Sequence, residues 1–307
     1  MALDIAELYG YGPTDPSIPA QEARDSQFCP FIERSCNKTF NDNTSNGVCT
    51  LIQKSAGPVI CCPNRLYAGS YQVLGDIAVS AFGEGVSLVG ATSLDPVGSG
   101  HKNVVVFGRW WGKELSLPGR GRVGKGGFVD WILALVDERG ELVEFVAVEI
   151  QSMDTTGSYR ALRDAYMAGD GYQAVSAGIN WRNVFKRILP QLIYKGHILH
   201  REKLCKSGLF FVCPSPVYRK IVAELSDELE EYHRQPGSLT FKWYNLAPEQ
   251  RSGMVRDLVC EGEFTSTVSQ VAQALSGQKR LPPAGVYEQA IRTELQQAKK
   301  CRRENAQ

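Results

Sequence analysis

The clearest pattern of apolar and polar positions lies between Phe128 and Gly157, FVDWILALVDERGELVEFVAVEIQSMDTTG. Two apolar runs flank a polar break, Asp137 to Gly140, which predicts a strand, a turn and a second strand. With Val136 set opposite Glu141, Asp130 falls opposite Ala147 and diagonal to Glu149. Side chains alternate between the faces of a strand, so Asp130, Glu149 and Gln151 share one face. Both carboxylates are embedded in apolar sequence, Asp130 between Val129 and Trp131, Glu149 between Val148 and Ile150. A lone buried carboxylate is costly, so each needs a partner or a cation. Diagonal neighbours sit roughly 7–8 Å apart, within reach of one divalent ion.

Elsewhere, periodicity predicts a helix near Leu66–Phe82 and a strand at Asn103–Phe107. Ser158–Met167 reads as a helix with Thr155 or Thr156 as N-cap and Gly169 as its stop. Asn180–Lys195 reads as a helix with Trp181, Val184, Ile188 and Leu192 on one stripe; Lys186, Arg187 and Lys195 fall off it. Pro190 predicts a kink or a new turn there. Leu209–Cys213 reads as a short buried strand stopped by Pro214, Ile221–Tyr232 as an acidic amphipathic helix, and Tyr287–Ala298 as a helix followed by a basic tail. Residues 1–27, with Pro13, Pro16 and Pro19, read as turn-rich surface chain. Strands among helices predict an α/β fold, a central mixed sheet flanked by helices. A small N-terminal four-cysteine segment is expected over residues 1–66, with the main domain over 67–307.

Composition is that of an ordinary globular protein, and the nine cysteines change the picture more than the net charge of +1. No export signal is read at the N-terminus, and the longest apolar run, Trp131–Val136, is far too short to span a membrane. Five cysteines crowd between Cys29 and Cys62 in polar, turn-forming sequence. In a chain without an export signal that crowding predicts a metal staple rather than disulfides. Cys29, Cys36, Cys49 and Cys62 are the expected ligands of zinc or iron. Cys61 stays open as the alternative fourth ligand, since adjacent residues point apart. Cys205 and Cys213 have no ligand company and read as structural.

Charge is unevenly spread. Lys102–Lys125 carries six Lys/Arg and one acid, and Trp181–Lys206 carries seven Lys/Arg and one acid. Such blocks attract polyanions. The run GRWWGKELSLPGRGRVGKGG lacks P-loop spacing, which excludes that nucleotide site; it reads as a phosphate-contacting loop or as plain surface. Glu114 within it reads as a solvated helix-end charge, with a further acid near the metal site as the alternative.

Asp130 followed by Glu149-x-Gln151 is close to the metal-nuclease pattern of Asp followed by Glu-x-Lys. Two carboxylates suit Mg²⁺, and Gln151 stands where lysine is usual, without its charge. Three readings follow: a metal-dependent nuclease, a non-catalytic metal-stapled DNA-binding module, and a nuclease acting on structured DNA in repair.

The stretches CPFIERSCNK (Cys29–Lys38), GVCTL (Gly47–Leu51), VICCPNRLY (Val59–Tyr67), the pair VDW and EIQSMDTTG, and GINWRNVFKRILPQLIYKGHILHREK (Gly178–Lys203) resemble the NotI family of type II restriction endonucleases. The resemblance covers about residues 28–206. It implies a PD-(D/E)xK nuclease core, Mg²⁺-dependent cleavage of a GC-rich palindromic duplex, and 5′-phosphate and 3′-hydroxyl ends. It also implies a homodimer, a bacterial cytoplasmic location, and a cognate methyltransferase that forms no stable complex with the enzyme. Asp130 and Glu149 would hold Mg²⁺, Gln151 would replace the lysine, and Cys29, Cys36, Cys49 and Cys62 would hold iron. Arg160, Arg163, Arg182, Lys186 and Arg187 are the candidates for DNA contact.

Overall fold

Strands that are apolar on both faces belong in the middle of a sheet covered on both sides, and this chain has several. The computed structural model describes residues 3–90, 102–109, 111, 114–115, 129–225, 229–277 and 283–304, with side chains described as far as residue 298. Most of the glycine- and arginine-rich run expected to touch phosphate, and part of the acidic stretch after Leu225, lie outside the described residues.

The first 27 residues are not simply surface chain. They open with a buried strand, β1 (Leu3–Leu8), and a short helix, α1 (Ile18–Asp25). The prolines sit in the loop after the strand, and Pro19 sits in the first turn of α1, where proline is tolerated. The short ribbon β2 (Phe28–Cys29) and β3 (Arg34–Ser35) follows, then β4 (Val48–Gln53) and β5 (Gly57–Ile60). β1, β4 and β5 form an antiparallel sheet in that order.

After a 3₁₀ turn at Pro63–Tyr67 come α2 (Ala68–Phe82), β6 (Val86–Gly90), β7 (Lys102–Gly108), β8 (Trp131–Val136) and β9 (Leu142–Ile150). Then follow the two-residue β10 (Thr155–Thr156), α3 (Arg160–Ala168), β11 (Gly178–Ile179), a π turn (Val184–Ile188) and α4 (Leu189–Leu199). The last third supplies β12 (Leu209–Pro214), α5 (Ser215–Leu225), β13 (Ser238–Leu246), β14 (Leu258–Thr267), α6 (Val268–Ser276) and α7 (Val286–Glu304). The central sheet has seven strands in the order β14-β13-β12-β9-β8-β7-β6. β12 runs parallel to β9 and β13, and β6 to β7, while β7-β8-β9 and β13-β14 are antiparallel, so the sheet is mixed as expected.

Alternation sorts the two cores. Ile132, Ala147, Phe211 and Phe241 face α4, α5 and α6, together with β1 and β4 of the N-terminal sheet. Leu133, Val146, Val148, Phe210 and Val212 face α2. α4 comes close to α6 at Gly196, where an added Cβ would lie 2.4 Å from Val268 Cγ2. No helix among the described residues is long and apolar enough to cross a membrane.

Several predicted elements shift. Thr155 and Thr156 do not cap α3; they pair with Ile179 and Gly178 as a small ribbon, and Ser158 accepts from the Arg160 N–H instead. Gly169 does end α3, in the left-handed conformation. Pro190 neither breaks the chain nor opens a separate turn: the backbone stays helical from residue 182 to 199, and a π turn before the proline lets the Leu189 N–H bond Val184 O, five residues back. Pro214 is the last residue of β12, and the helix expected at Ile221–Tyr232 begins six residues earlier and ends at Leu225.

Candidate active site

The β8-β9 hairpin forms, with a shifted register. Val136 pairs with Leu142 rather than Glu141, and Leu135 pairs with Glu144, so Val143 bulges. The longer turn and the bulge together slip the pairing by two residues. An even slip leaves every side chain on its expected face. Trp131 pairs with Val148, which brings Asp130 beside Glu149 instead of diagonal to it. Asp130 Oδ2 accepts the Ile150 N–H at 2.8 Å, fixing the carboxylate across the strand end. Trp131 is held in turn by Gly108 on β7, where any Cβ would meet its ring at 2.1 Å.

Asp130, Glu149 and Gln151 line one polar cleft of about 580 Å³. Its other walls are Asn37, Lys38, Cys61, Cys62, Asn64 and Tyr67 from the N-terminal segment, and Gln191 and Lys195 from α4. Glu114, read as a solvated charge or as a further acid near the site, is exposed and also lines this cleft. Burial, and then the adjacent Asp130 charge, push the Glu149 carboxyl up to about 8; Lys195 works against both by donating to Glu149 Oε1. Gln151 is anchored by its backbone, its N–H donating to Val212 O at 2.9 Å, while its side-chain amide donates to Ser152 O at 2.9 Å. Burial first, and the Asp130 charge second, raise the pKa of Tyr67.

Lys195 had only been noted as lying off the apolar stripe. Asn183, Arg187, Gln191 and Lys195 recur every four residues and line this cleft and a smaller one beside it. That polar stripe, flanking the apolar one of Val184, Ile188 and Leu192, was the signal available in the sequence.

The cysteines gather on the same side of the molecule. Cys29, Cys49, Cys61 and Cys62 are buried and Cys36 partly so. Burial, and then the thiols of Cys62, Cys29 and Cys36 together with Glu7, raise Cys49; burial pushes Cys62 up to about 12. Cys61 turns elsewhere, its sulfur 3.5 Å from Lys38 Nζ and 3.5 Å from Cys49 O. Burial opposes the Lys38 charge, but Cys61, Tyr159, Cys62 and Cys49 together raise its pKa. Cys29, Cys36, Cys49 and Cys62 influence one another's charge, and Cys61 acts on Cys62 as well. As thiols, Cys36 and Cys49 donate to the carbonyls of Lys38 and Gly47, and among the described residues no three His, Cys, Asp or Glu side chains are drawn into one ligand shell.

The five basic candidates divide. Arg182, Lys186 and Arg187 are exposed on the segment beside the cleft, with Arg187 4.0 Å from Asp154. Arg160 is half-exposed and paired with Asp42 at 2.6 Å. Arg163 is 7% exposed and donates to Asn46 O, Ser45 O, Tyr9 Oη and Asp164, so it ties α3 to the N-terminal segment.

No curated protein matches the chain. A family model described as Restriction endonuclease NotI matches residues 17–208, well over half of the sequence, a span that contains the cysteine segment, the hairpin and α4. With that match over the residues that build the cleft, the chain belongs to the NotI restriction endonuclease family, type II site-specific deoxyribonucleases that act on double-stranded DNA.

Proposed function

We propose that this enzyme hydrolyses both strands of duplex DNA at a GC-rich palindrome, leaving 5′-phosphate and 3′-hydroxyl ends, with Asp130, Glu149 and Gln151 as its catalytic group in a PD-(D/E)xK core. The observation that carries this reading is the placement of Asp130 and Glu149 side by side in a polar cleft walled by basic and amide side chains. Restriction endonucleases generally use Mg²⁺. The donor set fits it, because Mg²⁺ commonly takes only one or two protein carboxylates and completes its shell with water and substrate phosphate. Asp130 and Glu149 would hold the ion, which would polarise the scissile phosphate and activate water. Asp130 is oriented by the Ile150 N–H, Glu149 by Lys195, and Gln151 offers an amide for the attacking water or a phosphate oxygen.

Arg182, Lys186, Arg187 and the half-exposed Arg160 are the proposed contacts to DNA, arginine suiting guanine edges in the major groove. A twofold homodimer matches a palindrome, one subunit to each strand. Cys29, Cys36, Cys49 and Cys62 are the proposed ligands of a structural iron, or of zinc in its place; four soft donors, three of them buried, suit a staple. A cognate methyltransferase would protect the host site without a stable complex. The test is a digest of plasmids rich in GC palindromes with Mg²⁺ and sequencing of the fragment ends. Discrete fragments with 5′-phosphates are expected. Binding without cleavage on every such substrate would reject the catalytic reading in favour of a DNA-binding module.

A further inference from the structure

The group at the motif's third position is neutral and turned aside. Gln151 sits where a lysine would carry positive charge, yet its side-chain amide donates to its own neighbour, Ser152 O, at 2.9 Å. Nucleases of this pattern stabilise a phosphorane-like transition state whose negative charge grows at the scissile phosphate, and preorganised positive charge is worth most in a cleft with little water. A cation is present, from a different element. Lys195, on α4 and 46 residues away from Glu149 in the chain, places its ammonium on Glu149 Oε1, and its side chain is only 15% exposed. It lines the same cleft as Asp130 and Gln151.

The helix holds this lysine firmly. Gly196, beside it, packs against Val268 of α6 too closely for any side chain, and Leu192 and Leu199 are buried on either side. An ammonium at the end of a fixed helical residue is a preorganised charge rather than a mobile surface one.

We infer that Lys195 is a catalytic residue, the positive charge that Gln151 lacks, contributed from α4 to the scissile phosphate. This rests on the nuclease reading above. In the step itself water adds to phosphorus and gives up a proton to solvent. The bond from phosphorus to the 3′ oxygen breaks, and that oxygen takes up a proton. Lys195 keeps its own proton throughout and contributes charge only. Asp130, Glu149 and a divalent ion held between them would sum to no net charge, and the Lys195 ammonium on Glu149 adds a positive one at that point of the cleft, which Gln151 does not.

The alternative is a structural ion pair that only neutralises Glu149. Single-turnover cleavage, DNA affinity in Ca²⁺, and Mg²⁺ binding by calorimetry on the DNA-free protein separate the two for Lys195→Gln, Lys195→Arg and the double variant Gln151→Lys/Lys195→Gln. A catalytic charge predicts that Lys195→Gln slows the chemical step by ~10²–10³-fold, with DNA affinity little changed. Mg²⁺ should bind it several-fold more tightly, because a positive charge beside the carboxylates has gone. Lys195→Arg should retain part of the rate, and the double variant should regain at least about tenfold of what the single variant lost, since the charge returns at the motif position. A Lys195→Gln enzyme that cleaves at the wild-type rate overturns the inference. So does a slow variant with weakened Mg²⁺ binding that Gln151→Lys does not rescue, which is the signature of a structural pair. A wild type that cleaves nothing removes the nuclease reading and this inference together; a wild type that cleaves beside an equally active variant removes this inference alone.

Discussion

Replacing Arg65 with methionine should cost this protein more than almost any other single change away from the cleft. Glu7 on β1 and Arg65 in the turn after Cys62 are both fully buried, and Arg65 Nε donates to Glu7 Oε2 at 2.8 Å. The same oxygen accepts from Thr50 Oγ1 on β4, and Arg65 Nη2 donates to Arg256 O at 2.6 Å. The guanidinium also lies 4.8 Å from the Phe31 ring centroid. One pair thus fastens the N-terminal sheet, the turn leading into α2 and the loop before β14. Among the described residues it already leaves Glu7 Oε1 and Arg65 Nη1 without hydrogen-bond partners, so none of those residues offers a spare donor to take over. Removing the arginine strands a carboxylate with no access to water, a change that costs about 3–5 kcal/mol. At roughly 2–4 °C of melting temperature per kcal/mol for large domains, Arg65→Met should melt about 6–20 °C lower. The double variant Glu7→Leu/Arg65→Met should recover most of that loss, since the pair, and not either member, is what the interior tolerates. Thermal and urea unfolding of the four proteins in the cycle measure this. Losses that simply add, or an Arg65→Met protein as stable as wild type, would refute the reasoning.

Arg163→Ala should lower stability by about 2–4 kcal/mol, because it strands buried acceptors at Asn46, Ser45 and Tyr9, while the folded variant keeps its affinity for DNA. Arg187→Ala should do the reverse, leaving the melt unchanged and reducing the slope of log affinity against log salt by about one; equal effects of the two variants on binding would contradict the division. Burial would raise the Asp15 carboxyl, but donors from Ser252, Gly253 and Ser17 hold it down to about 2. Because the folded value lies below the unfolded one, the stability it contributes is complete above about pH 4 and is lost as pH falls toward 2; Asp15→Asn should flatten that part of the acid unfolding curve, and an unchanged curve would remove Asp15 as a contributor. Cys49→Ser should lose the bound metal, read as iron by elemental analysis and as red-brown colour in the wild type, and should melt lower; a variant with wild-type metal content and melting temperature would end the staple reading.

What could be read from sequence followed the range of the interaction concerned. The shared face of Asp130, Glu149 and Gln151 needs only strand parity, and parity survived a register that was wrong by two residues. The register itself depended on a bulge at Val143 that nothing in GELVEF announces. β1 is masked in the sequence by the prolines that follow it at Pro13, Pro16 and Pro19, although LDIAEL itself has three of its six residues apolar and buried at Leu3, Ile5 and Leu8. β13 was legible in the sequence, since Ser238–Trp243 alternates polar and apolar over six residues. What the pattern does not carry is that the strand is buried on both faces over most of its length, which follows from its pairing with β12 and β14. Arg163 sits on a helix among charges and reads as a candidate for DNA contact; the acceptors that bury it lie more than a hundred residues away.

The position of the cysteines bears on chemistry as well as stability. The chain leaves β5 at Ile60, whose carbonyl accepts from the Met153 N–H at 3.1 Å, two residues beyond Gln151. Cys61 and Cys62 come next, then Asn64 and Tyr67, and all four line the cleft that holds Asp130 and Glu149. A metal at Cys62 would therefore brace one wall of the site directly, through a backbone already bonded to the strand that carries Glu149. Loss of that metal should then slow cleavage in protein that is still folded, by letting the wall at Cys62–Tyr67 move relative to Asp130. Misplacement of about 1 Å at a reacting centre can cost ~10²-fold in rate. Metal-depleted protein, held well below its melting temperature and assayed by single turnover on saturating DNA, should be slow in proportion to the metal removed. Full activity in folded, metal-free protein would confine the cysteine segment to a role in stability and leave the cleft to be held by the sheet and α4 alone.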